Sequence, residues 1–206
     1  MVRAALPGSV LALFAHPDDA ELWAGGTLAH HAAHAPVTVA VPFRDPVRDA
    51  EATKGAEILG TALRQLPVLD SSAIHQLLVD VRPDLVITHP LRDVHPEHRA
   101  VANEVLQALP EAVIATGFPR RLYTCDTYNS LTLDGPLNAT TIVDVTHTFA
   151  TKMKALREHT SQPIEEHFGP MAENLGRLWG ARIGSARGEA FTAVPVLGRL
   201  PPATQL

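Results

Sequence analysis

Short apolar runs rich in β-branched residues alternate with longer stretches of helical spacing, and this alternation constrains the fold more than any single motif. "SVLALFA" (9–15), "VTVAVPF" (37–43), "RQLPVL" (64–69) and "DLVITH" (84–89) read as strands. The segments 21–34, 48–60, 71–81 and 96–109 between and after them read as helices, the second closed by Gly60 and the third opened by a serine. Strand and helix in strict alternation build βαβ units, so the expectation is an α/β fold: a doubly wound, mostly parallel, Rossmann-like sheet. Further strands at 120–128, 139–145 and 189–196, with helices at 149–159 and 165–183, put extra elements in the C-terminal third. No repeat or linker divides the chain, so residues 1–200 read as one domain and 201–206 as a frayed tail.

Composition removes whole classes of function. A formal charge of -5 without any basic run argues against nucleic acid and anionic membranes as partners. No stretch approaches the ~20 apolar residues of a membrane span. Arg3 followed by "AALPGSVLALFA" has the outline of a leader, but Pro7-Gly8 interrupts it and cleavage after Ala15 would leave His16 at the N-terminus. A cytoplasmic protein is therefore expected. The single cysteine, Cys125, excludes a disulfide framework and a cysteine metal cluster, and it reads as a buried, inert thiol. Eleven histidines against three methionines make imidazole the ligand for any bound metal.

Ligand sites of open parallel sheets form outside the C-terminal ends of the strands. The first strand ends in His16-Pro17-Asp18-Asp19, and the strand 84–89 ends in "THPLRDVHPEH", with His89, His95 and His98. Adjacent carboxylates repel, and burying them is costly unless a positive charge is held beside them. His16, Asp19 and His98 together give two imidazoles and one carboxylate, the donor set of a catalytic zinc with one position left open. One aspartate can then bind the metal while its neighbour takes a proton as general base. In "HPEH" one histidine can bind metal, and the other can polarise an oxyanion or protonate a leaving amine. These roles suit amide hydrolysis.

The sequence resembles the LmbE-like, or PIG-L-type, zinc de-N-acetylases. The resemblance rests on "AHPDDAELWAGGTLA" and "HPEH", supported by "RDAEATKGAEILG", "RPDLVITH" and "KMKALREHTSQ" followed by "GEAF", in the family's order from residue 10 to about 191. It implies His16, Asp19 and His98 as ligands of Zn²⁺, with Fe²⁺ or another divalent ion as the alternative. It implies Asp18 as general base and His95 as the residue assisting the oxyanion or leaving group. Arg48 falls where relatives hold the substrate's sugar, and Asp70 is a weaker candidate for the same task. The implied substrate is a small N-acylated molecule, most simply an N-acetyl amino sugar or glycosylated metabolite, and a homo-oligomer is compatible with the fold. The alternatives are an amidase for larger conjugates at the same site and an inactive metal- or ligand-binding homologue. Free acetate as product would point to the deacetylase and a larger acid to the amidase.

The chain also departs from the family. Glu97 replaces the usual aspartate, Asp93 stands where glycosyl-inositol enzymes have a tyrosine, and the loop "RDPV" (44–47) is short, which implies a differently shaped pocket. Other features have plainer readings. "HHAAH" (30–34) reads as a solvated helix end and Gly25-Gly26 as close packing of a helix, while His159 and Ser161-Gln162 match a family signature and suit a structural turn equally well. Glu21 suits either the site or the helix dipole, and Trp23 and Trp179 suit core or pocket wall.

Overall fold

The structure, a computed structural model, describes residues 8–201, so most of the expected tail lies outside it. The elements run β1 (Val10–Leu13), α1 (Asp19–Ala32), β2 (Val37–Pro42), α2 (Pro46–Leu59), β3 (Ala62–Leu66), α3 (Ser71–Val81), β4 (Leu85–Thr88), α4 (Pro96–Thr116) and β5 (Arg121–Thr124). After a 3-10 turn at Tyr128–Ser130 come β6 (Leu131–Thr132), β7 (Gly135–Pro136), β8 (Thr141–Asp144), α5 (Phe149–Leu156), α6 (Gly169–Arg182) and β9 (Gly188–Val194). Seven strands form one sheet in the order β3-β2-β1-β4-β5-β9-β8. The first five are parallel, and β9 inserts antiparallel between β5 and β8. The expected doubly wound α/β layer is present.

The sheet is buried on both faces, as a parallel sheet between helices must be. Along β1 and its continuation, Val10, Ala12 and Phe14 enter the core shared with α1 and α5, while Leu11, Leu13 and Ala15 enter the core under α3 and α4. β1 is central because the chain winds outward from it in both directions. Leu13 pairs with Ala40 of β2 on one side and Thr88 of β4 on the other, so β1 and β4 end level. Beyond these ends lies the switch-point crevice.

Local chemistry sets the helix ends. Asp45 accepts from the Val47 and Arg48 N–H groups, both at 3.0 Å, and starts α2; Gly60, at φ 74°, ends it in the left-handed conformation anticipated there. α4 runs to Thr116, past the expected end at 109, with Pro110 inside it. Val105, Ala108, Leu109 and Ala112 are all buried along one face, and their packing outweighs the hydrogen bond that proline removes. The expected helix from 165 begins instead as a wide turn at Ile164–Phe168 before α6. Cys125 is buried, as expected.

The glycine pair in α1 is explained by close packing. A Cβ on Gly26 would lie 2.7 Å from Val145 Cβ, and one on Gly25 would lie 3.1 Å from Lys152 Cγ. Gly26→Ala is therefore expected to cost about 1–3 kcal/mol through overpacking, measured as the loss of unfolding free energy in urea. Gly25→Ala should cost less, because the flexible Lys152 stem can give way.

Candidate active site

The loops leaving β1 and β4 meet over the level strand ends, and the histidines and aspartates anticipated there come together. The His16 backbone N–H donates to Asp19 Oδ2 at 2.7 Å, and the Trp23 indole N–H, one turn on, donates to Asp19 Oδ1 at 2.9 Å. Asp19 is thus fixed by its own loop and helix. His16 Nδ1 lies 3.0 Å from Asp19 Oδ2 and 3.2 Å from His98 Nε2, and His98 Nε2 lies 3.4 Å from Asp19 Oδ1. In a tetrahedral site with bonds of about 2.0–2.1 Å, ligand atoms stand roughly 3.3 Å apart. His16, Asp19 and His98 therefore have the donor chemistry and the spacing to hold a divalent ion.

Asp18 stands beside Asp19 where α1 begins. Its side chain does not cap α1; it is 7% exposed and pairs through Oδ1 with Arg48 Nη2 at 2.7 Å. His95 starts α4, its Nδ1 accepting the Glu97 N–H at 3.3 Å. Burial, with His98 and His16 nearby, holds its pKa below the ordinary imidazole value. A neutral ring that accepts through Nδ1 carries its proton on Nε2, so His95 is poised as a hydrogen-bond donor.

Asp70 is not brought to this cluster. It caps α3, accepting the Ala73 N–H at 2.9 Å, and its strand lies two positions from β1. Arg48 does reach the site, but bonded to Asp18 rather than standing free. Glu21 turns towards the buried His159, with His159 Nε2 3.5 Å from its Oε2, and burial raises its pKa. Thr160 and Ser161 donate to Glu51 of α2, Ser161 Oγ at 2.6 Å, so that turn ties α5 to α2.

The structure adds residues that the sequence reading did not assign. Asp93, fully buried, accepts from the His95 N–H at 2.8 Å through Oδ1 and lies 3.1 Å from His98 Nδ1 through Oδ2. One carboxylate thus orients both histidines of "HPEH". Glu97 lies 3.4 Å from His16 Nε2 and is itself held by Arg44 of the short loop. The His89 ring stacks on His98 with centroids 3.8 Å apart and accepts the Ala15 N–H at 3.0 Å. Tyr128 lies parallel to His98 at 5.9 Å. Burial and the Asp19, Asp18 and Asp93 carboxylates push its phenol up, so it stays a donor. The signal for Asp93 was its place two residues before "HPEH"; for Tyr128, far along the chain, no local signal exists.

The electrostatics call for a cation. Burial opposes ionisation of Asp19, yet His89 and His98 hold its carboxyl well below the ordinary range. Burial likewise opposes charging His98, yet Asp19 and Asp93 push it up to about 9. Asp18, Asp19 and Asp93 are all buried around this cluster, and a cation held by His16, Asp19 and His98 would offset their charge.

A cavity of about 140 Å³ lies elsewhere, under the far end of α1, lined by Thr27, His31, Ile87, Tyr123 and Phe191 among others. His31 is buried there, contrary to the solvated helix end expected for "HHAAH", although His34 is exposed. Burial and the nearby His30, Arg121 and His34 lower the His31 pKa to about 4. It lies twelve residues along α1 from Asp19, roughly 18 Å away.

The model of the family described as GlcNAc-PI de-N-acetylase (PIG-L) matches residues 11–109, a span containing all seven anticipated site residues. No curated protein matches the sequence. Three solved structures share the fold. The hydratase GalB of Pseudomonas putida, a 4-carboxy-2-hydroxymuconate hydratase, superposes with a TM-score of 0.80 at 19% identity, covering 96% of this chain and 98% of that one. The conserved protein TT1542 of Thermus thermophilus gives 0.77 at 22% identity, covering 97% and 100%. The N,N'-diacetylchitobiose deacetylase of Pyrococcus horikoshii gives 0.73 at 21% identity, covering 93% and 85%.

Proposed function

From the premise that the chain belongs to the PIG-L family through residues 11–109, we propose that it is a zinc-dependent hydrolase removing an N-acyl group, most simply N-acetyl, from an amino sugar or glycosylated small metabolite in the cytoplasm. The observation that carries this reading is the convergence of His16 Nδ1, Asp19 and His98 Nε2 within 3.0–3.4 Å of one another, with the Asp18 carboxylate beside them. A divalent ion held by these three residues supplies Lewis acidity and lowers the pKa of a water. Asp18 would take the proton of the attacking water, and Arg48 Nη2, 2.7 Å from Asp18 Oδ1, holds the carboxylate in place. His95 donates from Nε2 to the oxygen that gains charge as the amide carbonyl is attacked. Its Nδ1 bond to the Glu97 N–H favours oxyanion support over protonation of the leaving amine, which the sequence left open.

Asp93 acts through His98. Carboxylates on the far nitrogen of a metal-binding histidine fix the ring and raise its basicity, and their loss costs 10–100-fold in affinity. Asp93→Asn is expected to weaken zinc binding by about that factor, measured by competition with a chromogenic chelator. A Kd within threefold of wild type would remove this role.

The likeness to GalB favours a second reading, hydration of a carbon–carbon double bond at the same site. Mass spectrometry of products separates the two. Hydrolysis of N-acetylglucosamine or N,N'-diacetylchitobiose yields acetate and a free amine; hydration adds water to an unsaturated acid and splits nothing. Acetate release abolished by chelator and restored by zinc supports the proposal. Absence of acetate from a panel of N-acetyl substrates, with one zinc bound, overturns it.

A further inference from the structure

A third loop rises over the strand ends that carry the site. Thr88 of β4 pairs with Thr124 of β5, and the Cys125 N–H donates to the Thr88 carbonyl at 2.8 Å. β5 therefore ends level with β4, and the loop that follows it enters the same crevice. That loop carries Tyr128. Its ring lies edge-on to Trp23 with centroids 5.1 Å apart, parallel to His98 at 5.9 Å, and near His95 at 6.5 Å. Tyrosine hydroxyls in buried surroundings usually find a partner. The Tyr128 hydroxyl has none among the described residues, and it is not one of the polar atoms sealed from solvent. Burial, then the Asp19, Asp18 and Asp93 carboxylates, push the phenol's pKa up, so the hydroxyl lies in the field of the site's acids and keeps its proton.

The backbone is strained to place this side chain. Asn129 and Ser130, at φ 51° and 56°, are both left-handed, a conformation that residues other than glycine adopt in succession only under constraint. Asp126, itself buried, supplies the constraint. It accepts from the Thr127 N–H at 2.8 Å, the Ser130 hydroxyl at 2.9 Å and the Trp179 indole N–H at 2.6 Å. The Leu137 N–H then closes on the Ser130 carbonyl at 2.8 Å. Strain that its surroundings over-determine in this way gathers at functional positions. We propose that Tyr128 is a further catalytic residue, its hydroxyl donating to the carbonyl oxygen of the scissile amide as that oxygen gains charge, and that Asp126 is its positioning residue. The inference rests on the deacylase reading and adds a second donor beside His95. Two donors to one oxygen stand at most about 6 Å apart, which rings 6.5 Å apart allow. A tyrosine serving only as a wall would need neither the free hydroxyl nor the strained turn.

Tyr128→Phe keeps the ring against Trp23 and His98 and removes only the hydroxyl. On whichever N-acetyl substrate is hydrolysed fastest, kcat is expected to fall about a hundredfold with KM within threefold of wild type and one zinc still bound. One oxyanion donor is worth about 10²–10³ in kcat, and a loss confined to kcat marks a bond made in the transition state. A kcat within tenfold of wild type, or a loss confined to KM, overturns the proposal. Asp126→Asn should lower kcat in the otherwise native chain and change it less than twofold in Tyr128→Phe, because its effect passes through the hydroxyl. Equal losses in both backgrounds remove Asp126 as a positioning residue. A readout without turnover is the binding of acetohydroxamate, a small hydroxamic acid whose charged oxygens ligate zinc, measured by calorimetry on the zinc-loaded protein. Its Kd should rise at least tenfold in Tyr128→Phe. If wild type releases no acetate from any N-acetyl substrate, the deacylase reading has failed instead, and this binding decides alone. A Kd that still depends on the hydroxyl keeps Tyr128 as a donor to a charged oxygen; an unchanged Kd, or no binding to wild type, removes it.

Discussion

Replacing Asp18 with asparagine is expected to lower kcat for amide hydrolysis about a thousandfold while leaving about one zinc per chain in place, because a positioned general base is worth roughly 10²–10⁴ in rate. Two features of Asp18 make the separation clean. It is not one of the three converging donors, so the ligand set survives the substitution. Its only charged hydrogen-bond partner among the described residues is Arg48, at 2.7 Å, and an asparagine Oδ1 still accepts from that guanidinium. What is lost is the capacity to take a proton. His16→Ala is the matching control, because it removes Nδ1 from the cluster and should release the metal. Metal content by mass spectrometry and acetate release on the same preparations decide the matter. Zinc lost from Asp18→Asn would make Asp18 a ligand, and a rate within tenfold of wild type would mean that another group takes the proton.

Much of this site was legible because strand ends are a local property with a long-range consequence. An apolar run that stops at His16 and another that stops at His89 need only lie side by side, in register, for their loops to meet. The pairing of Leu13 with Thr88 delivers that. The stop at Gly60 also held, because one left-handed residue sets it, whereas the serine expected to open the third helix lies inside α3 and Asp70 before it is the cap. What escaped depends on contacts between distant segments. β9 pairs with β5, more than sixty residues earlier in the chain, and no periodicity within "EAFTAV" announces that insertion. Arg48 was expected at the substrate's sugar and becomes half of an ion pair with Asp18 only when α2 packs beside α1. Asp93 looked like the loss of a tyrosine because its value lies in geometry: one carboxylate bridging the His95 backbone and the His98 ring. Pro110 looked like a helix end because the burial that carries α4 through it comes from the whole face of the helix. His31 shares its triplet with an exposed histidine and is buried because the cavity wall, not the local pattern, decides its surroundings.

Lys152→Met is expected to destabilise the fold by about 3–5 kcal/mol, the usual consequence of leaving one partner of a buried ion pair uncompensated. Lys152 Nζ lies 2.6 Å from Glu189 Oε1, and both residues are only 4% exposed. Glu189 also accepts from the Gly26 and Thr27 N–H groups at 2.9 and 2.8 Å, in the middle of α1. Methionine preserves the stem that lies against Gly25, so the loss reports the charge rather than a cavity. For a chain of this length the cost corresponds to a fall in melting temperature of about 10 °C. The charge can be isolated with Lys152→Met/Glu189→Met. Each single change should be costly, and the double variant should fall short of their sum by about 0.5–3 kcal/mol, because removing the second charge relieves what the first left stranded. Strict additivity, or a single variant within 1 kcal/mol of wild type, would mean that water reaches Glu189 and that α1 is held in place by packing at Gly26 alone. Since α1 carries Asp19 at its first turn, the pair anchors the helix on which the site is built, and its loss should loosen zinc binding before the chain unfolds.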